Sequence, residues 1–226
     1  MQNLKSIALD GPSAAGKSTL AKRISEHYSF IYVDTGALYR CIGLFVLRHN
    51  ISISDKDAIT KILPSITIKL FYDNEGVQRM LLCDEDVTED IRLPDVSMAA
   101  SAVSAIPSVR RYLLETQKEM ARSYDVVMDG RDIGTVVLPD ACLKIFLTAE
   151  TNVRANRRFL ELKEKSIDTS FEEVLADISL RDKNDSERTI APLKPAEDAV
   201  IVDTTHLNFE ESFEAICELI NRRFAI

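Results

Sequence analysis

The sequence predicts an α/β fold in which a five-stranded, mainly parallel sheet carries helices on both faces. Three observations predict it. Five short apolar runs, at residues 7–9, 30–33, 125–128, 144–147 and 199–202, alternate with segments whose apolar residues recur at helical spacing. The G-x-x-x-x-G-K-[ST] pattern is matched at every specified position from Gly11 to Ser18, straight after the first run and straight before a helical segment. Residues 66–70 and 77–83 instead read as two alternating runs around the turn residues 73–76, an antiparallel hairpin inserted into the β/α order.

Taken in order, Ile7, Ala8 and Leu9 form the first buried strand, ending at Asp10. Gly11, Pro12, Ser13, Ala14, Ala15, Gly16, Lys17, Ser18 and Thr19 follow as a phosphate loop, giving a P-loop NTPase-type architecture. Glycines let the backbone wrap an anion, its N–H groups point inward, and a helix starting near Lys17 aims its positive end at the phosphates. Lys17 can reach the β- and γ-phosphates of a triphosphate, and Ser18 offers a hydroxyl to Mg²⁺, directly or through water.

The strand at 30–33 is followed by a turn at Asp34-Thr35-Gly36 and a helix over 38–48. Asp55 or Ser54 caps a short helix to about residue 63, where Pro64 changes the pattern. After the hairpin, helices are expected over 95–105 and 107–123, then the strand ending at Asp129, then the strand at 144–147. Helices over 151–165 and 171–185, the strand at 199–202 and a helix over 209–224 complete the chain. The expected organisation is one P-loop domain of residues 1–226: a core of 1–61, 96–150 and 187–226, an insert of about 62–95, and a short helical region of about 151–186. In parallel sheets ligands bind beyond the carboxyl ends of the strands, where Asp10, Asp34 and Asp129 fall.

Composition narrows the function. With 46% hydrophobic and 28% charged residues, the 226-residue chain can bury a sizeable core, and its net charge of −8 argues against a nucleic-acid polymer as partner. Cys41, Cys83, Cys142 and Cys217 form no C-x-x-C pair, and His27, His49 and His206 are scattered, so neither zinc nor a disulfide framework is expected. No leader is expected before the first strand, and no apolar stretch approaches the ~18 residues of a membrane span. A cytoplasmic monomer with no membrane partner is the default expectation.

Two further patterns carry chemistry. Asp129-Gly130-Arg131-Asp132-Ile133-Gly134-Thr135 follows a buried strand, where a terminal acid suits a magnesium-bound water; by composition alone the same stretch reads as a surface turn. Arg154, Arg157 and Arg158 stand at i, i+3 and i+4, so one helix face can present all three. By itself such a row is a solvated charged face; beside a phosphate loop it suits the spread negative charge of phosphoryl transfer.

With these blocks in this order, the chain resembles the bacterial cytidylate kinases essentially from end to end. The carriers are residues 11–19, Asp34-Thr35-Gly36-Ala37-Leu38-Tyr39-Arg40, Glu89-Asp90-Ile91-Arg92, residues 129–137, Pro139-Asp140-Ala141, and residues 181–188 followed by Ala191-Pro192-Leu193. The resemblance implies a parallel core, a monophosphate-binding insert and a lid, with ATP and Mg²⁺ used to phosphorylate CMP and dCMP. It implies that Lys17, Arg131, Arg188 and Arg157 serve catalysis, and that Arg154, Arg157 and Arg158 close over ATP. Thr35, Tyr39 and Arg40 would line the monophosphate site, with Arg131 and Arg188 on its phosphate and Asp129 beside it. Ser101, Arg110 and Asp132 would read cytosine, and Arg181 and Asp185 would sit near the sugar. Ser18 stands where some relatives carry glycine, and Thr35 where relatives often carry serine.

The base-reading roles also make chemical sense directly. Cytosine offers an amino donor to Asp132 and acceptors to Arg110, whereas uracil sets a carbonyl against the Asp132 carboxylate. Other small P-loop kinases, acting on another monophosphate or a small alcohol, are the nearest competing reading. A GTPase-type switch would carry an Asn-Lys-x-Asp segment, which is absent from the sequence, and a non-catalytic ATP-binding module would leave the arginines unused.

Overall fold

The computed structural model describes residues 4–73 and 78–225, without the side chain of residue 72. It divides into two compact units, one of residues 1–33 with 118–226 and the other of residues 34–117.

The first unit is built on a five-stranded sheet. Its strands are β1 (Ser6–Asp10), β2 (Ile31–Asp34, whose last residue belongs to the second unit), and, later in the chain, Val126–Gly130, Leu143–Thr148 and Val200–Asp203. Its helices are α1 (Lys17–Tyr28) and the segments Thr151–Glu164, Phe171–Ser186 and Phe209–Phe224. In the second unit α2 (Thr35–Arg48), α3 (Lys56–Ile62), β3 (Ile68–Tyr72), β4 (Gln78–Leu82), β5 (Glu85–Asp86), α4 (Pro94–Ser104) and α5 (Pro107–Ser123, which runs back into the first unit) follow in order. The remaining first-unit elements are thus β6 (126–130), β7 (143–148), α6 (151–164), α7 (171–186), β8 (200–203) and α8 (209–224).

The sheet order is β2-β6-β1-β7-β8, and β1 pairs in parallel with both β6 and β7, as β7 does with β8. Alternation along β1 decides what each residue meets. Ile7 and Leu9 join Leu20 and Ile24 of α1 and Phe213, Ile216 and Ile220 of α8 in one buried cluster. Asp10, on the other phase, turns to residues 133 and 134 after β6. There the chain makes a single π-type turn, Ile133–Val137, closed by i→i+5 bonds from Val137 N to Asp132 O and from Leu138 N to Ile133 O. The sequence predicts no element there.

The second unit has its own core, in which Leu38, Ile42 and Val46 of α2 meet Val96 and Val103 of α4 and Met80 and Leu82 of β4. Gly43 makes the close approach possible, since a Cβ there would stand 2.9 Å from the Ala100 nitrogen. The expected hairpin is present as β3 and β4, antiparallel, with Ile68 opposite Leu82. A third strand, β5, was not expected and pairs with β4. Residues 74–76 of the expected turn lie outside the described residues. The expected turn at Asp34-Thr35-Gly36 is corrected: the helix begins at Thr35, because the Asp34 side chain accepts from Ala37 N and caps it directly. Asp55, not Ser54, caps α3 by accepting from Ala58 N.

Candidate active site

The phosphate loop occupies the β1–α1 connection of the first unit. Only glycine fits its start: Gly11 has φ 151°, and a Cβ would fall 2.0 Å from the Leu147 carbonyl oxygen. Ala14 is left-handed at φ 57°, and Gly16, at φ 88°, precedes α1 with no side chain capping the helix. The first-turn N–H groups of α1 are therefore free of a side-chain cap and suited to an anion.

Lys17 is buried and donates to Pro12 O at 2.6 Å, so its ammonium is held against the loop backbone. Burial, then the charge of Arg131, push its pKa well below the usual lysine value, while Asp129, Asp10 and Asp185 oppose them. A phosphate restores the missing negative charge around this ammonium. Ser18 Oγ donates to Asp129 Oδ2 at 2.8 Å, and Tyr32 donates to Asp129 Oδ1 at 3.1 Å. A hydroxyl beside a carboxylate fits Mg²⁺, which takes one or two protein oxygens and keeps most of its waters. Among the described residues no group of three or more His, Cys, Asp or Glu could hold a metal ion.

Asp10 is buried and accepts from Ile133 N and Gly134 N, both at 2.8 Å. Burial pushes its carboxyl up to about 6 despite those two donors, with Asp132 adding to the rise. Asp10 thereby ties the strand leading into the phosphate loop to the turn that follows Arg131 and the buried Asp132.

Arg131 spans two partners. Its Nε donates to Asp185 Oδ2 at 2.8 Å and its Nη2 to Ser13 Oγ at 3.2 Å. Burial works against the guanidinium charge, but Asp185, Asp129 and Asp182 outweigh it and hold its pKa above the ordinary arginine value. Burial likewise works against the Asp185 charge, and Arg131, Arg188 and Arg181 outweigh it, keeping the carboxyl below its usual range. Arg188 reaches Asp185 Oδ1 at 3.5 Å. The structure thus brings Ser13, Lys17, Ser18, Asp129, Arg131, Arg181, Asp185 and Arg188 into one charged group.

It does not bring the three helix arginines to one target. Arg154 is buried against Asp182 and the Ser13 carbonyl. Arg157 donates to Thr204 Oγ1 and O and to Leu207 O, and burial lowers its pKa. Arg158 pairs with Glu161 at 2.7 Å, one turn along its own helix. The i, i+3, i+4 spacing falls within one helix as expected, but the three long side chains select different neighbours.

The second unit holds the other group of sequence-selected residues. Asp34, 2% exposed, receives Arg40 Nη2 at 2.8 Å and Arg92 Nη2 at 3.0 Å on Oδ2. Burial opposes its charge, yet Arg40 and then Arg92 keep its carboxyl below the usual range. Arg40 Nε is buried with no hydrogen-bond partner, an N–H suited to an anion. The Arg110 guanidinium lies 5.7 Å from the Tyr39 ring centroid and donates to Ser104 O at 3.2 Å, and Ser104 Oγ donates to Ser101 O at 2.8 Å. Thr35 is buried in the first turn of α2. Sequence reasoning did not select Asp10, Asp34, Arg92 or Asp182 as site residues, although strand-terminal position marked the first two and the quoted blocks 89–92 and 181–188 contain the others.

The family model for cytidylate kinase matches residues 7–222. A cytidylate kinase of Caldicellulosiruptor bescii is 52% identical over 215 residues, 94% of each chain. One of Carboxydothermus hydrogenoformans is 48% identical over 217 residues, 96% of this chain and 97% of that one. One of Bacillus pumilus is 45% identical over 222 residues, 98% of both. An uncharacterized protein from Eubacterium ventriosum shares the fold, with a TM-score of 0.52 over 96% of this chain and 98% of that one at 13% identity.

Proposed function

The chain belongs to the cytidylate kinase family, and from that membership we propose that it moves the γ-phosphate of ATP to CMP or dCMP, giving CDP or dCDP and ADP. One observation carries the reading at the level of the residues: Arg131, next in sequence to the buried Asp132, donates to Ser13 of the phosphate loop. The segment assigned to the acceptor is thereby tied to the loop assigned to the donor.

The chemistry asks little of a general base. A phosphate monoester with a second pKa near 6 is largely dianionic at pH 7, so its oxygen attacks without losing a proton to the protein. Lys17 and the loop N–H groups are assigned to the donor phosphates, and Arg131 and Arg188 to the charge that spreads over the transferred group. Arg40 is assigned to the acceptor phosphate, on the strength of its unpartnered Nε. Asp132 accepts from the cytosine amino group, while Arg110 and Ser101 complete base recognition and Arg181 and Asp185 engage the sugar. Ser18 and Asp129 are assigned to Mg²⁺, which when bound neutralises phosphate charge.

Residues 62–95 are assigned to the monophosphate-binding insert, and residues 151–186 to a lid that excludes water, with Arg157 and Arg158 directed to ATP. The reading is of a cytoplasmic monomer that engages no nucleic-acid polymer. Among the described residues no helix is long and apolar enough to cross a membrane.

The test is ADP release from MgATP with a panel of acceptors: CMP, dCMP, UMP, AMP, GMP and shikimate. Fast release with CMP and dCMP supports the assignment. Fastest release with any other acceptor, or equal release with none, rejects it.

A further inference from the structure

Ser13 is held from three sides. Its N–H donates to Asp182 Oδ1 at 2.9 Å, its carbonyl accepts from Arg154 Nη1 at 2.8 Å, and its hydroxyl accepts from Arg131 Nη2 at 3.2 Å. The first two holders are joined, since Arg154 Nη1 also donates to Asp182 Oδ2 at 2.5 Å. Arg154 is 4% exposed, and its other donors are engaged too, Nε by Ala149 O and Nη2 by Thr151 Oγ1. A guanidinium occupied at all three nitrogens by protein acceptors is built to hold the backbone, not to reach for a ligand. A second contact joins the same parts: Ala14 packs on the small apolar core that α6 and α7 form through Ala155, Leu162, Val174 and Ile178.

We propose that Asp182 is a positioning residue for the donor site, acting with Arg154 to fix the phosphate loop at Ser13 so that the following N–H groups are preset for a triphosphate. The proposal refines the kinase reading and rests on its assignment of ATP to this loop. Immediately after Ser13 the backbone takes its left-handed step at Ala14, φ 57°. An unheld Ser13 would leave that step to the loop alone, and a nest of N–H groups binds anions well only when its backbone is fixed beforehand. Asp182 and Asp185 lie one turn apart on α7, so a single helix face anchors both Ser13, through Asp182, and Arg131, through Asp185.

The sign of the effect separates positioning from simple electrostatics. Asp182 is an anion touching a loop meant for phosphates; by Coulomb attraction alone, its removal tightens ATP binding. Positioning demands the opposite. The experiment is calorimetric titration of the full-length protein with MgATP and, separately, with CMP, for wild type, Asp182→Ala and Asp182→Asn, each checked by circular dichroism and thermal melting. Asp182→Ala is expected to weaken MgATP at least tenfold with CMP affinity within twofold of wild type. Asp182→Asn keeps an acceptor for the Ser13 N–H but loses the charge facing Arg154, and is expected to fall between. If the alanine variant does not fold, the asparagine variant decides, with a threefold or greater loss for MgATP alone as the supporting result. Unchanged or tighter MgATP binding, or equal loss for both nucleotides, overturns the proposal. Failure of the kinase reading would look different, as wild-type protein that binds MgATP yet phosphorylates no CMP.

Discussion

Arg131 pairs with the buried Asp185, Nε standing 2.8 Å from Oδ2, which leaves the other edge of the guanidinium on Ser13 Oγ. One arginine therefore touches the phosphate loop while a carboxylate from α7 fixes its orientation. The planar fork makes this double attachment possible, and a lysine ammonium cannot reproduce it.

Replacing Arg131 tests the pair. Arg131→Ala is expected to lower kcat by about 10²–10³-fold, the usual cost of losing one preorganised donor to transition-state charge. Arg131→Lys keeps the charge and is expected to recover only part of that loss. Steady-state kinetics on both variants, with melting curves to confirm folding, provide the check.

Asp132 carries the prediction on specificity. An amide at this position can donate as well as accept, so Asp132→Asn relieves the repulsion toward the uracil carbonyl. The kcat/KM ratio of CMP over UMP is expected to fall by about 1–3 kcal/mol of discrimination. An unchanged ratio would remove Asp132 from base recognition.

How far the sequence alone reached can be judged element by element. The helix ending the chain was legible to both ends, because its cap is local: Asn208 and Glu211 exchange bonds as a capping box ahead of an apolar period. The phosphate loop was legible because glycine, lysine and serine are demanded at fixed places. The strand at Glu85–Asp86 was not, since two exposed acidic residues carry no strand signal and pair only because β4 offers an edge. Nor was the π-type turn after Asp132, whose N–H groups are held by Asp10 from far away in the chain. The arginine row of α6 was legible as spacing, but its three destinations depend on Asp182, Thr204 and Glu161, which only tertiary structure supplies.

Asp10 gives a pH signature in the nucleotide-free protein. Its folded pKa of about 6 exceeds the ordinary aspartate value of 3.8, so between about pH 4 and 6 the folded state binds the proton more tightly than the unfolded one. Stability from this group is therefore highest in acid and falls as pH rises through that window, by about 3 kcal/mol for a shift of about two units. Asp34 and Asp185, held below their usual range, act in the opposite sense, with a contribution present above the unfolded carboxylate pKa and lost as pH falls through the folded one. The difference in unfolding free energy between wild type and Asp10→Asn, measured by denaturant titration from pH 4 to 7, is expected to shift against wild type as pH rises.

Asp34 joins a helix cap to two arginines. Asp34→Ala removes the acceptor of Ala37 N and leaves Arg40 and Arg92 without their shared carboxylate. The expected destabilisation is about 1–3 kcal/mol, from losing a helix cap and two charge-assisted bonds while the arginines left behind stay partly hydrated. Asp34→Asn keeps the cap and is expected to lose less stability while raising the KM for CMP more than that for ATP. Denaturant unfolding and two-substrate kinetics separate the effects.

The central claim is direct transfer from ATP to the phosphate of CMP, and phosphorus NMR of the protein with MgATP and CMP tests it most directly. The account predicts CDP and ADP resonances growing together at the expense of ATP and CMP, with no matching inorganic phosphate. ATP loss matched by inorganic phosphate, with the CMP resonance unchanged, would contradict it.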